Sequence, residues 1–178
     1  MTRELRRLVP EVVGIDRDPP SVALARANAG AGDIAYIEGD ALRYGFEPAS
    51  FDLITAVAAL HHMDAEPALL RLSGLLRPGG VLVVIGLARS SLSDLPLDAV
   101  AIVPNWLRRL RAPYSQQRAP TLWPPPENYA SMRRIAERVL PGARFRRRLY
   151  WRYTLVWVKL PSGATLTTAI DDIEPCAA

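Results

Sequence analysis

The chain of 178 residues has one cysteine, Cys176, one lysine, Lys159, and two histidines, His61 and His62. A lone cysteine closes no internal disulfide and cannot furnish a cysteine-based metal site. A reduced, cytoplasmic setting is therefore the default expectation. Adjacent histidines in a strand face opposite ways, which weakens a two-histidine metal site. No apolar run approaches the ~20 residues that a membrane helix needs, so no membrane span is expected. The opening MTRELRRLVPEVV is basic but lacks both an apolar core and a small-residue cleavage site, so a secretory signal is not expected. No internal repeat is visible.

What remains is globular: 49% hydrophobic and 22% charged residues exclude a disordered chain. The length suits one domain of ordinary size, with little room for a second. The net charge of +4 is uneven. Met1 to Val100 carries 9 basic and 13 acidic residues, whereas Ala101 to Ala178 carries 13 basic and 5 acidic. The basic excess lies mostly between Arg133 and Lys159 and is almost all arginine. Such a segment can serve nucleic acid or acidic ligands. Its arginines alternate with apolar residues, however, as on the solvated face of a strand, and that is the preferred reading.

The first half alternates strands and helices. Thr2 to Leu8 reads as a short helix and Glu11 to Asp16 as a buried strand. Asp18 can cap a helix that opens with Pro19 and runs to about Asn28, ended by Gly30 and Gly32. Ile34 to Glu38 is a second strand. Phe51 to Ala58 is a third, continuous and apolar, as for a strand covered on both faces. Pro67 to Arg77 is an amphipathic helix stopped at Pro78-Gly79-Gly80, and Val81 to Leu87 is a fourth strand. This alternation predicts an α/β fold, a parallel doubly wound sheet with helices on both faces. The second half differs. Ser90 to Trp123 is irregular, with a helix expected from about Leu97 to Arg111, and Ala119 to Pro126 is rich in proline. A helix over Glu127 to Leu140 precedes two strands, Arg144 to Tyr150 and Tyr153 to Leu160. Trp151-Arg152 alone separates them, which predicts an antiparallel hairpin. Pro161 to Ala178 reads as a flexible tail.

Ligands of an open parallel sheet sit at the carboxyl ends of its strands. Asp16 ends the first strand and can accept hydrogen bonds from ribose hydroxyls. Arg17 follows it, and Asp18 is better suited to capping. The second strand leads into Gly39-Asp40-Ala41, where the Asp40 carboxylate can accept from an adenine amino group and the Ala41 N–H can reach a ring nitrogen. Either acid alone is also an ordinary turn residue; the pair, one helix apart, is more informative. After the third strand come Ala58-Ala59-Leu60-His61-His62. One histidine could act as a general base or orient a substrate, and a structural or capping role is expected for at least one.

The segments EVVGIDRD, YIEGDAL, FDLITAVAALHHM and LLRPGGVLVVIGL together resemble consecutive motifs of the class I S-adenosylmethionine-dependent methyltransferases. They are similar to the small-molecule branch that includes quinone-biosynthesis enzymes. The resemblance covers roughly Thr2 to Leu87, and the C-terminal helix and hairpin suit the family's antiparallel edge. It implies a Rossmann-like, mostly parallel sheet with a C-terminal antiparallel hairpin. Residues 1–160 would form the domain and 161–178 the tail. It implies S-adenosyl-L-methionine as cofactor, with Asp16 and Arg17 at the ribose and Asp40 with Ala41 at the adenine. Ala58, Ala59 and Leu60 would lie beside the methionine part, and His61 or His62 would face the substrate as tentative catalytic residues.

The departure is at the start. The family's first strand and G-x-G-x-G loop should precede the helix at Thr2, and Met1 to Val9 supplies neither. Gly30-Ala31-Gly32 follows a helix and precedes a strand, the reverse of the required context. The missing strand would be central, between those containing Val12 to Asp16 and Phe51 to Ala58. Without it these two strands must pair with each other, recruit another segment or leave a gap. A strand and loop need only ~10–15 residues, so the expectation is a chain truncated at its N-terminus, with a gene product that begins upstream.

Three functions stay open at this point. The first is methyl transfer to a small-molecule acceptor, impaired in the truncated chain. The second is a non-catalytic remnant that acts by binding or dimerisation; unsatisfied sheet edges leave self-association open. The third is a nicotinamide-dependent (NAD) oxidoreductase on the same fold, which accounts for Asp16 but not for Gly39-Asp40-Ala41 with Arg77-Pro78-Gly79-Gly80. Nucleic acid is not the expected partner, because no N-P-P-[YFW] motif follows the third strand. Ser90 to Pro126 is expected to select substrate, with Trp106, Tyr114, Trp123 and Tyr129 as pocket aromatics, although Trp106 and Tyr129 are better read as packing. Trp151 and Trp157 are expected to pack the hairpin.

Overall fold

The computed structural model describes residues 2–29, 34–90, 124–148 and 151–161. These fall into two compact units, one within Met1–Gly45 and one from Phe46 onward. The expected helix at 97–111, Gly30 and Gly32, and the tail from 162 lie outside the described residues, as do Trp106, Tyr114 and Trp123.

The first unit is a strand–helix–strand crossover preceded by a short helix. It contains α1 (Thr2–Arg6), β1 (Val12–Asp16), α2 (Pro19–Ala27) and β2 (Ile34–Glu38). β1 and β2 run parallel, with Val12 opposite Ile34 and Asp16 opposite Glu38. α2 starts where its sequence dictates. Asp18 is the N-cap, its carboxylate accepting from the Ser21 N–H at 3.0 Å, and Pro19 is the first helical residue. Proline suits that position because its missing N–H would have had no helical partner. The Tyr36 ring lies over Gly14, and the Tyr36 and Thr2 hydroxyls are 2.8 Å apart, which docks α1 on the sheet. The unit buries little: Val12 and Val22 are its only buried apolar side chains among the described residues.

The second unit holds β3 (Phe51–Val57), a 3-10 turn (Leu60–His62), α3 (Ala65–Leu75), β4 (Leu76–Leu87), α4 (Tyr129–Val139), β5 (Arg144–Arg147) and β6 (Arg152–Val158). Its sheet has the order β3-β4-β6-β5. β3 and β4 are parallel; β4–β6 and β6–β5 are antiparallel. The expected α/β architecture, parallel strands closed by an antiparallel C-terminal pair, is present. β1 and β3, the strands expected to flank the missing one, each have one described neighbour, β2 and β4.

The core follows from two periodicities. α3 buries Ala65, Ala68, Leu69, Leu72 and Leu75, and α4 buries Tyr129, Met132 and Ala136, each along one helical stripe. β4 buries alternate residues, Leu82 and Val84, and β6 buries Tyr153 and Leu155. Roughly 1.5–3 kcal/mol per fully buried large apolar side chain makes this stack the main source of stability.

Three expectations need correction. First, β3 has no buried residue, and Leu53 and Val57 are exposed. Its apolar run suggested cover on both faces, but its main packing in this unit is edgewise against β4. Second, α3 ends at Leu75, and the chain enters β4 at once, so Arg77–Gly80 belong to the strand. A bulge absorbs the change: Phe51 faces Leu76 while Leu53 faces Val81. Third, Arg152 is not a turn residue; it pairs with Leu87 inside β6. The hairpin closes with the Arg148 N–H on the Arg152 carbonyl at 2.8 Å and with Trp151 at φ 58°. A tryptophan in left-handed backbone is a placement that turn propensities do not anticipate.

Candidate functional site

The two acids end adjacent strands. Asp16 is the last residue of β1, and its carbonyl accepts the Gly39 N–H at 2.9 Å, which joins the carboxyl ends of β1 and β2. The Asp16 carboxylate is exposed and uses one oxygen to accept the Asp18 N–H at 2.9 Å. Asp18 is occupied with its cap, as expected. Arg17 is exposed beside them. Asp40 opens the turn after β2. One carboxylate oxygen accepts the Leu42 N–H at 2.9 Å, and the carbonyl accepts from Arg43 and Tyr44 at 3.0 and 2.8 Å. None of these bonds uses the Ala41 N–H. The other carboxylate oxygen lies 4.0 Å from the Arg43 Nε, so the turn presents that oxygen, shared with an exposed arginine, beside the Ala41 N–H.

In the second unit, β3 ends in a sharp change of direction. Ala58 has φ 51°, while its N–H still bonds the Ile85 carbonyl at 2.8 Å. Left-handed backbone costs an L-residue roughly 1–2 kcal/mol, so the pairing with β4 holds a strained residue at the strand end. Ala59 then caps the 3-10 turn Leu60–His62. The turn, not a strand, carries both histidines, so they do not face opposite ways: their rings lie 4.0 Å apart. His61 is buried and its Nδ1 has no hydrogen-bond partner among the described residues, while His62 is exposed. Burial first, and then the neighbouring His62, hold the His61 pKa below the ordinary 6.5, so the imidazole is neutral near pH 7.

His61 lines a small cavity with Leu60, Met63, Leu87, Glu127 and Tyr153. Glu127 and Tyr153 were not singled out in the sequence. Tyr153 reads as one more apolar strand residue, and only the opposed glycine, Gly86, hints otherwise. Among the pocket aromatics expected, Tyr129 is buried in the first turn of α4 with the Arg147 guanidinium 4.5 Å above its ring, a packing role. Trp157 likewise packs, donating from Nε1 to the Pro141 carbonyl at 3.0 Å.

The model of a methyltransferase domain family matches residues 1–84. An uncharacterized methyltransferase of Mycobacterium tuberculosis is 31% identical over 163 residues, which span 88% of this chain and 80% of that protein. The chain belongs to the class I S-adenosylmethionine-dependent methyltransferases. A demethylmenaquinone methyltransferase of Thermus thermophilus is 41% identical over 78 residues, but these cover only 42% of this chain and 36% of that enzyme. A solved structure of a SAM-dependent methyltransferase from Methanosarcina mazei superposes with a TM-score of 0.54 at 15% identity, covering 84% of this chain and 82% of that one. At that identity the likeness speaks for the fold.

The described residues that suit the cofactor of this family are those for its nucleoside part. Asp16 and Asp40 offer carboxylate oxygens at neighbouring strand ends, and Ala41 offers an N–H; these suit a nucleoside. Among the described residues no helix is long and apolar enough to cross a membrane.

Proposed function

We propose that this methyltransferase transfers the methyl group of S-adenosyl-L-methionine to a small-molecule acceptor. The observation that carries the reading is the pairing of β1 with β2, which puts the carboxylates of Asp16 and Asp40 at the same end of two hydrogen-bonded strands. Asp16 with Arg17 would hold the ribose, Asp40 with Ala41 the adenine, and Ala58, Ala59 and Leu60 the methionine part. When bound, the cofactor supplies an activated methyl group on a sulfonium. The chain's own residues align the acceptor and keep a neutral imidazole, His61, in reach as a proton acceptor, with His62 beside it. The apolar neighbours of His61, and the partial likeness to a demethylmenaquinone methyltransferase, favour an acceptor with an apolar body.

The test is calorimetric titration of the purified chain with S-adenosylmethionine. Binding is expected, and Asp16→Asn and Asp40→Asn, which keep the local turn bonds, are each expected to weaken it about 10-fold or more, the worth of a hydrogen bond to a charged group. No heat from the folded wild-type chain would sink the reading. The second reading is a methyltransferase-like chain that acts by binding or dimerisation without methyl transfer. Tight binding with no methyl transfer to any of a panel of quinols and phenols would select it.

A further inference from the structure

The cavity beside His61 has a composition that packing alone does not require. Its walls are apolar at Leu60, Met63 and Leu87, yet three polar side chains converge on it: His61, Glu127 and Tyr153. Its volume is about 10 Å³, room for a single water-sized group.

Each polar member is held in place. Glu127 precedes α4, where its carboxylate accepts from the Ser131 hydroxyl and its carbonyl accepts the Arg89 N–H at 2.9 Å. Tyr153 lies opposite Gly86 in the β4–β6 pair, and a Cβ at Gly86 would come within 2.3 Å of the phenol oxygen. Only the absent side chain lets the ring lie across β4, and Phe145 stacks on it at 5.0 Å. Burial, and then the Glu127 charge, push the Tyr153 pKa well above its ordinary value of 10, so the phenol keeps its proton and remains a donor. His61, 7% exposed, has an Nδ1 without a partner among the described residues, and the N–H tautomer at Nε2 makes that atom an acceptor. Residues that carry one donor and two acceptors therefore line a space of one small polar group in an apolar wall.

We propose that this cavity is the polar subsite for the methyl acceptor and takes one hydroxyl group, which accepts from the Tyr153 phenol and donates to the Glu127 carboxylate, with His61 alongside. The acceptor is then a hydroxylated molecule with an apolar body resting on Leu60, Met63 and Leu87. This deepens the methyl-transfer reading and rests on it, but the subsite can be tested without cofactor.

The probe is phenol, with toluene as its partner of the same shape lacking the hydroxyl. In protein labelled with ¹⁵N-histidine, the His61 Nδ1 resonance should shift saturably with phenol and at least 3- to 10-fold more weakly with toluene, the worth of one hydrogen bond. Tyr153→Phe and Glu127→Gln should each remove that discrimination and leave toluene binding unchanged. Glu127→Gln keeps the test decisive should Tyr153→Phe fail to fold. Absence of a saturable phenol shift, equal binding of phenol and toluene, or discrimination that survives a folded variant would overturn the proposal. Because S-adenosylmethionine is absent here, its failure to bind in calorimetry is a separate result.

Discussion

At the residue scale, His61 makes folding pH-dependent. Its imidazole is buried and, among the described residues, without a partner at Nδ1, and His62 stands 4.0 Å away; His62, Glu127 and Tyr153 are the titratable groups around it. Its folded pKa lies below the 6.5 it has when unfolded. Between those two values the unfolded chain binds more protons than the folded one, so stability is fully present above about pH 6.5 and is lost as the pH falls through that window. Urea unfolding at pH 7.5 and 5.5 should show a loss on acidification that is smaller in His61→Phe; an equal loss in the variant would refute the assignment. The individual ligand candidates at strand ends were legible, because Asp16, Asp18 and Asp40 act through local backbone and sit where short sequence rules put them. The cluster of His61, Glu127 and Tyr153 was not. Its members lie far apart in sequence and meet only because Gly86 leaves room for the Tyr153 ring.

At the element scale, what the sequence hid was long-range completion of local structure. The starts of α2 and α4 are set by their own caps; in α4, Asn128 and Ser131 satisfy each other's backbone N–H groups. The end of α3 is set from elsewhere. Pro78-Gly79-Gly80 predicted a stop after Arg77, yet the helix ends at Leu75, where the Lys159 ammonium donates to the Ser73 and Leu76 carbonyls at 2.9 and 2.8 Å. The Lys159 backbone also pairs with Gly79 and Gly80, at 2.7 and 2.9 Å, and so continues the β4–β6 ladder past the turn. The chain's one lysine is thus a C-terminal helix cap, the charge a helix end favours. Lys159→Met keeps the apolar stem and removes both bonds. It should destabilise the protein by about 1–3 kcal/mol in urea titration, whereas an exposed-surface role predicts a change within about 0.5 kcal/mol.

At the scale of the whole molecule, the strand-and-helix order foretold parallel strands and the C-terminal hairpin, but neither the β4–β6 pairing nor how unevenly burial is distributed over the strands. The second unit has a stacked core of Leu69, Leu72, Leu82, Val84, Met132, Tyr153 and Leu155. The first has two hydrogen-bonded strands and, among the described residues, only Val12 and Val22 buried. A two-stranded sheet with so little core is marginal by itself. Amide protection should follow that difference: in native-state hydrogen exchange the amides of β4 and β6 should be slowest and those of β1 and β2 faster. The acids proposed to hold the nucleoside are on the weaker pair, so ligand binding should act there as stabilisation. With S-adenosylmethionine at 100 times its dissociation constant, linkage adds about 2.7 kcal/mol to any opening that releases the ligand. Exchange in β1 and β2 should slow about 100-fold, and openings of the second unit that do not release ligand should keep their rates. If β1 and β2 are already as protected as β4 without ligand, the difference in burial does not set their stability; if added cofactor slows β4 and β6 alone, the acids at the ends of β1 and β2 are not where the cofactor binds.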